Sequence, residues 1–198
     1  AYGLRFGSYA QGGLVSGLIG QAYTFDEDPE FDPSTGFDSK LSDYVGRVDF
    51  TPGPWLDARY RFRLDREDFE FVRNEVGVTA GPPEVRFALN YLMLRDDPAL
   101  QTLRKREEIT AGLWFRVSDS ISLAGQTRRN LEADTTIFHR FGVVYTHPCL
   151  QLVAGVERRN TDDRDAEDTT TFSFRVTLKH LGQLGADADL FRSEEEDE

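Results

Sequence analysis

Apolar and polar side chains alternate at every second position through most of this 198-residue chain. A period of two marks a β-strand with one apolar and one polar face. About ten such segments can be read, near 12–25, 43–51, 55–65, 69–80, 85–95, 106–117, 121–130, 136–146, 150–160 and 168–181. In 55–65, Leu56, Ala58, Tyr60, Phe62 and Leu64 alternate with Asp57, Arg59, Arg61, Arg63 and Asp65. In 168–181, Phe172, Phe174, Val176 and Leu178 alternate with Ser173, Arg175, Thr177 and Lys179. Phe87, Phe115 and Phe141 likewise fall opposite Arg86, Arg116 and Arg140. No segment reads as a helix.

The connections alternate too. Residues 52–54, 81–84, 118–120 and 147–149 are short and carry Pro or Ser where a tight turn wants them. The intervening ends, 26–42, 96–105, 131–135 and 161–167, are mostly longer and more polar. Short turns at one end and longer loops at the other describe an antiparallel up-and-down meander. Most segments have roughly the 9–11 residues that cross a bilayer at a tilt. No apolar run reaches the roughly 18 residues that a membrane helix needs.

With 39% hydrophobic and 12% aromatic residues, the chain holds enough apolar material for one ordinary domain. Its net charge of -12 sits in two places: residues 26–43 and 187–198 each hold seven acids against one base. The remainder is neutral but densely charged, and a nucleic-acid footprint would need a basic surplus. Ala1 is not an initiator methionine and no leader-like segment precedes the body, so the sequence reads as a mature protein or a fragment.

Site chemistry is thin. His139, His147 and His180 stand on three segments without ligand spacing. No nucleophile elbow, phosphate loop or paired carboxylates on a rigid element can be placed. The expectation is therefore no enzyme, no metal and no cofactor. The stretch "DEDPEFDPSTGFD" faintly resembles a calcium loop, but its prolines and irregular oxygen spacing break the pattern, and it reads as a solvated loop.

What wets the polar faces decides the function. They carry Arg59, Arg61, Arg63, Arg73, Glu75, Arg86, Asn90, Glu108, Arg116, Gln126, Arg128, Arg140, Glu157, Arg159, Arg175 and Lys179. Ion pairing with Glu75, Glu108 and Glu157 is one role for these arginines, and attraction of phosphates is another. A soluble barrel would point its apolar faces inward, and alternation alone does not say which side is which. Strand number favours a membrane barrel, because a soluble ring of ten strands would enclose a large empty apolar cavity. Three readings follow: a transport barrel, a general porin-like channel and a soluble sheet-rich binding protein.

Residues 41–94, with "YRFRLD" followed by "RNEVG", resemble the barrel of the LptD family of lipopolysaccharide-assembly proteins. So do "GQAYTF" at 20–25 and the ending "YTHPCLQLVAGVERRN … TTFSFRVTLKHLG". The resemblance implies an all-β fold, part of a transmembrane up-and-down barrel over 1–182, and an acidic, disordered periplasmic tail over 183–198. It implies a lumen lined by Arg59, Arg61, Arg63, Arg86, Arg116, Arg140, Arg159, Arg175 and Lys179. It makes Phe172, Ser173, Phe174, Arg175 and Val176 the closing strand, one lip of a lateral gate through which lipopolysaccharide enters the outer leaflet of the cell outer membrane. Implied partners are lipopolysaccharide, an LptE-like lipoprotein plug in the lumen, a periplasmic bridge protein and outer-membrane lipids. Cys149, in a turn on the periplasmic side with the tail, would form a disulfide with an N-terminal region outside this chain.

Overall fold

The computed structural model describes residues 1–10, 13–23, 40–95, 105–160, 168–178 and 182–186. These form strands β1 (Tyr2–Ala10), β2 (Gly13–Gln21), β3 (Tyr44–Gly53), β4 (Leu56–Leu64), β5 (Phe71–Ala80) and β6 (Val85–Leu94). They continue as β7 (Arg106–Arg116), β8 (Ile121–Asn130), β9 (Thr135–Thr146), β10 (Leu150–Arg159), β11 (Thr169–Leu178) and β12 (Gly182–Ala186). The strands follow one another in chain order within one sheet, an up-and-down meander that is open, with β1 and β12 as its two ends. Every expected segment from 12–25 to 168–181 contains one strand.

Two strands lie outside the expected ten. β1 pairs residue for residue with β2, from Tyr2 opposite Gln21 to Ala10 opposite Gly13. Its three apolar alternates, Tyr2, Leu4 and Phe6, give way to Ser8 and Ala10, so its period is short. β12 has almost no alternation and forms by register: Leu178 opposite Gly182 through Phe174 opposite Ala186. The segment 168–181 is therefore not the last strand, and the stretch read as a tail from 183 begins with residues of β12. The rest of that tail, Lys179, His180 and loop residues 24–39 lie outside the described residues.

The chain divides into two compact units. One comprises Ala1–Gly81, Ala88–Ile109 and Asn130–Asp134; the other comprises Pro82–Phe87, Thr110–Arg129 and Thr135–Glu198.

In the first unit, register extends the alternation across the strands. Leu4, Ile19, Gly46, Phe62 and Asn74 form one row on the apolar face, and Phe6, Gly17, Val48, Tyr60 and Val76 form the next. Arg47, Arg61 and Glu75 make a row on the opposite face. A bulge between Phe50 and Gly53 precedes the tight turn into β4, and Gly81 takes a φ of 117° where β5 ends.

In the second unit, Phe141, Val156 and Phe172 form an apolar row, beside Val143, Ala154 and Phe174. Arg140, Glu157 and Thr171 form a row on the polar face. A slip of one residue anywhere would exchange the two faces, so the pattern pins the register.

Burial is inverted relative to a soluble domain. Among the described residues, Ala124 and Phe138 are the buried hydrophobic side chains, whereas Gln21, Ser42, Asp43, Glu108 and Thr110 are buried polar ones. Large apolar side chains stand outside: Leu4 is 66% exposed, Phe6 52%, Leu113 51%, Phe172 81% and Phe174 55%. Large apolar side chains exposed in each unit mark contact with something other than water.

Candidate functional site

The polar face is built from arginines on alternate strand positions, several of them answered by a carboxylate within reach. In the first unit, Arg59 Nε lies 3.2 Å from Asp57, Arg47 2.9 Å from Asp49, and Arg73 bonds Glu75 on its own strand. Residues two apart on a strand share a face, which is why these pairs form. Arg61 stands in register between Arg47 and Glu75. Arg63 donates to the buried Asp43 at 2.5 Å, beside Ser42, whose Oγ accepts from the Ala22 amide at 2.8 Å and whose carbonyl accepts from Gln21 Nε2 at 2.7 Å. A cavity of about 430 Å³ opens next to them, with Gly3, Leu18, Gly20, Val45 and Arg63 among its walls. Here Leu14, Leu18 and Val45 lie on the polar face, so that face is not uniformly charged.

The turn between β4 and β5 holds a second cluster. Arg95, just past β6, reaches Asp65 at 3.1 Å, Asp68 at 3.3 Å and Glu70 at 2.9 Å. The Asp65 carboxyl is held below its ordinary range, first by the Glu67 amide that donates to it at 2.8 Å and also by the charges of Arg95 and Arg66. Phe69 sits in the left-handed region at φ 58° in this turn, its ring stacked on Tyr44 at 5.4 Å. At the long-loop end, Arg106 Nε is 2.5 Å from Glu108, and Lys105 Nζ is 2.6 Å from Glu132.

In the second unit the arginines converge. Glu157 accepts from Arg140 at 2.6 Å and from Arg159 at 2.8 Å. The guanidiniums of Arg140, Arg128 and Arg159 lie 5.0, 5.4 and 5.9 Å from the centroid of the Phe138 ring, within cation–π range. Arg128 Nε also donates to Thr110 Oγ1 at 3.1 Å. Arg116 lies 5.5 Å over Trp114. Arg86 is exposed on β6, and Arg175 stands opposite Val153 on β10.

Of the gate residues, Phe172 and Phe174 project exposed from the apolar face, and Val176 packs opposite Leu152 on that same face. Ser173 donates to the Gly155 carbonyl at 3.4 Å on the polar face. β12 covers the outer edge of β11 only over Phe174–Leu178. Cys149 is exposed with a free thiol in the turn after β9, its amide directed at His147 Nδ1 at 3.4 Å.

The expected ion pairing at Glu75, Glu108 and Glu157 is present. The Phe138 cluster and the Arg95 cluster were missed. Phe138 carries a signal in hindsight, because in "IFHRFGVVY" it is an aromatic ring in phase with the polar side. Among the described residues no group of three or more His, Cys, Asp or Glu is arranged to hold a metal.

Comparison with curated proteins finds no match. A family model described as LptD, LPS transport system D, matches residues 2–125, more than half of the chain. That stretch contains β1 through β7 and part of β8, and with its order of strands the chain belongs to the LptD family of the lipopolysaccharide transport system.

Proposed function

We propose that this chain is the C-terminal part of an outer-membrane barrel that inserts lipopolysaccharide into the outer leaflet through its lumen and a lateral gate. The observation that carries the reading, beside family membership, is the inverted burial. Phe172, Phe174, Leu113 and Phe6 are exposed in rows, while the charged face is ion-paired. Lipid contact accounts for the first, and a wet lumen for the second. Strands β1 to β11 have 9 to 12 residues, enough to cross a bilayer at a tilt. Trp55 at one end of the first unit, and Tyr23 and Phe69 at the other, suit the two membrane interfaces, where amphipathic rings settle.

An amphiphile needs a route with two solvents. Its acyl chains travel along an apolar surface while its anionic sugars pass the cationic side chains Arg59, Arg61, Arg63, Arg86, Arg116, Arg140, Arg159, Arg175 and Lys179. In this reading an LptE-like lipoprotein fills the lumen, a periplasmic bridge protein delivers the lipid, and Cys149 and the tail face the periplasm. The thiol of Cys149 then pairs with an N-terminal cysteine outside this chain. Residues Phe172 to Val176 form one lip of the gate, with β12 paired on the outer edge from Phe174 on, so that Phe172 and Ser173 are the part of the lip it does not cover.

The test is a covalent tie. A cysteine placed at Ser173 and another on the facing first strand of the full-length barrel are oxidised, and surface lipopolysaccharide is measured. Export should stop while the barrel stays folded, because the seam must part at each exit. A porin-like channel tolerates the tie, since its solute moves along the axis. Normal delivery through a crosslinked seam overturns the gate and favours that channel.

A further inference from the structure

We infer that the cluster of Arg128, Arg140 and Arg159 around Phe138 is a binding site for a phosphate-class oxyanion. The reading deepens the proposed transport function for the identity of the phosphate's bearer, while the anion site itself stands on the geometry alone. Three guanidiniums meet within 6 Å of one ring centroid, and those of Arg140 and Arg159 share the Glu157 carboxylate while Arg128 donates to Thr110. Like charges so close repel unless something holds them. The negative face of the Phe138 ring, 5% exposed, does part of this, and Glu157 does more. On the polar faces of β9, β10 and β11 the described charged groups are Arg140, Glu157, Arg159 and Arg175, three cations to one anion. An oxyanion carries the charge and the acceptor oxygens that such guanidiniums take.

The geometry also leaves access and room. The Arg159 side chain is 55% exposed, although it is anchored at Glu157, so it is fixed in direction but still open to a ligand. A guanidinium fork held in this way presents paired donors that match phosphate oxygens. Next to the Arg140 and Glu157 row, the following row on the polar face is Gly142, Gly155 and Ser173, which project almost no side chain. Beyond it stands Arg175. A phosphorylated sugar laid along this trough meets the cluster at one end and Arg175 toward the other.

The experiment uses the full-length protein in detergent micelles and reads binding by calorimetry with inorganic phosphate. It is repeated with phosphate-bearing lipopolysaccharide and with the same lipid enzymatically dephosphorylated. Arg159→Gln and Phe138→Leu should each weaken phosphate binding about five- to tenfold. Arg159→Lys should recover only part of the loss. Arg158→Gln, one residue away on the opposite face, should change nothing. Phe138 is buried, so folding of that variant is checked by heat-modifiable gel mobility; the exposed Arg159 keeps the test decisive either way.

If Arg159→Gln binds phosphate as tightly as the parent, the cluster is structural only and the inference is overturned. A preference for the phosphorylated lipid that Arg159→Gln abolishes identifies the bearer as the transported lipid. Phosphate binding without that preference identifies free phosphate as the ligand and upholds the site. Neither outcome depends on the crosslinked seam, so failure of the gate and failure of the anion site are separately visible.

Discussion

The ring of Phe62 on β4 lies across Gly46 on β3, in the space where a β-carbon of residue 46 would stand. Phe6 covers Gly17 in the same way one strand pair away. Both pairs are on the apolar face, where a glycine leaves the backbone bare and an aromatic ring from the next strand shields it. Gly46→Val is expected to push the ring off its rotamer and lower stability by about 1–3 kcal/mol. The combination Gly46→Val with Phe62→Ala should recover part of that, because the clash is gone. Urea unfolding in micelles, followed by tryptophan fluorescence, measures both. Equal losses in the single and double variants would mean that the ring is not what the valine meets.

Asp65 sets an acid limit on the β4–β5 turn. Its folded pKa is lowered, chiefly by the Glu67 amide, so the unfolded chain takes up the proton more readily. The stabilisation is then fully present above about pH 4, the ordinary carboxylate range, and is lost as pH falls through the lower folded value. Asp65→Asn should lack this component. Its unfolding midpoint should lie below that of the parent at neutral pH and converge with it in acid. Midpoints separated by the same amount at every pH would rule out Asp65 as the titrating group.

Glu157 and Arg159 are bonded to each other but are not equivalent. Glu157 and Arg140 have side chains 13% and 17% exposed, whereas Arg159 is 55% exposed. Removing one partner of a buried pair strands the other, at a cost of about 3–5 kcal/mol, and Glu157→Gln leaves the guanidiniums around Phe138 without their carboxylate. Arg159→Gln should cost under about 1 kcal/mol. A double-mutant cycle on Arg140 and Glu157 isolates the coupling. Comparable losses at residues 157 and 159 would show that burial does not govern the cluster.

Strand existence, order and facing were legible because one period of two runs through the chain and each strand must present the same face as its neighbour. Where that period weakens, legibility ended. β1 carries Gly3 and Gly7 on one face and tapers to Ser8 and Ala10 on the other, and its assignment rests on pairing with β2 rather than on its own pattern. β12 is five residues whose strand state comes entirely from β11. The arginines could be placed on a face, with Glu75, Glu108 and Glu157 among their partners, but the partners off that alternation could not. Arg63 finds Asp43 just ahead of the neighbouring strand β3 and Arg95 gathers three turn carboxylates, contacts that depend on side-chain reach and turn geometry. Phe138 was hidden by its own type, because an aromatic residue counts as apolar wherever it stands.

Val153 and Ala154 are adjacent on β10 and provide the sharpest test of which solvent each face meets. Val153 lies between Val144 and Arg175 on the polar face, and Ala154 lies between Val143 and Phe174 on the apolar face. Both sit near the middle of a ten-residue strand, at the depth expected for the bilayer centre. An arginine there on the lipid side costs about 2–4 kcal/mol, while a lumen position tolerates it. Ala154→Arg should therefore destabilise the barrel in lipid vesicles by that amount, and Val153→Arg should have little effect. In a water-soluble sheet protein, the exposed apolar face would accept the arginine at residue 154 and the ordering would vanish. Reversible urea unfolding in vesicles of phosphatidylcholine measures the difference. A larger loss for Val153→Arg than for Ala154→Arg would turn the sheet around and put the charged face against lipid, which the ion-paired rows of Arg140 and Glu157 forbid.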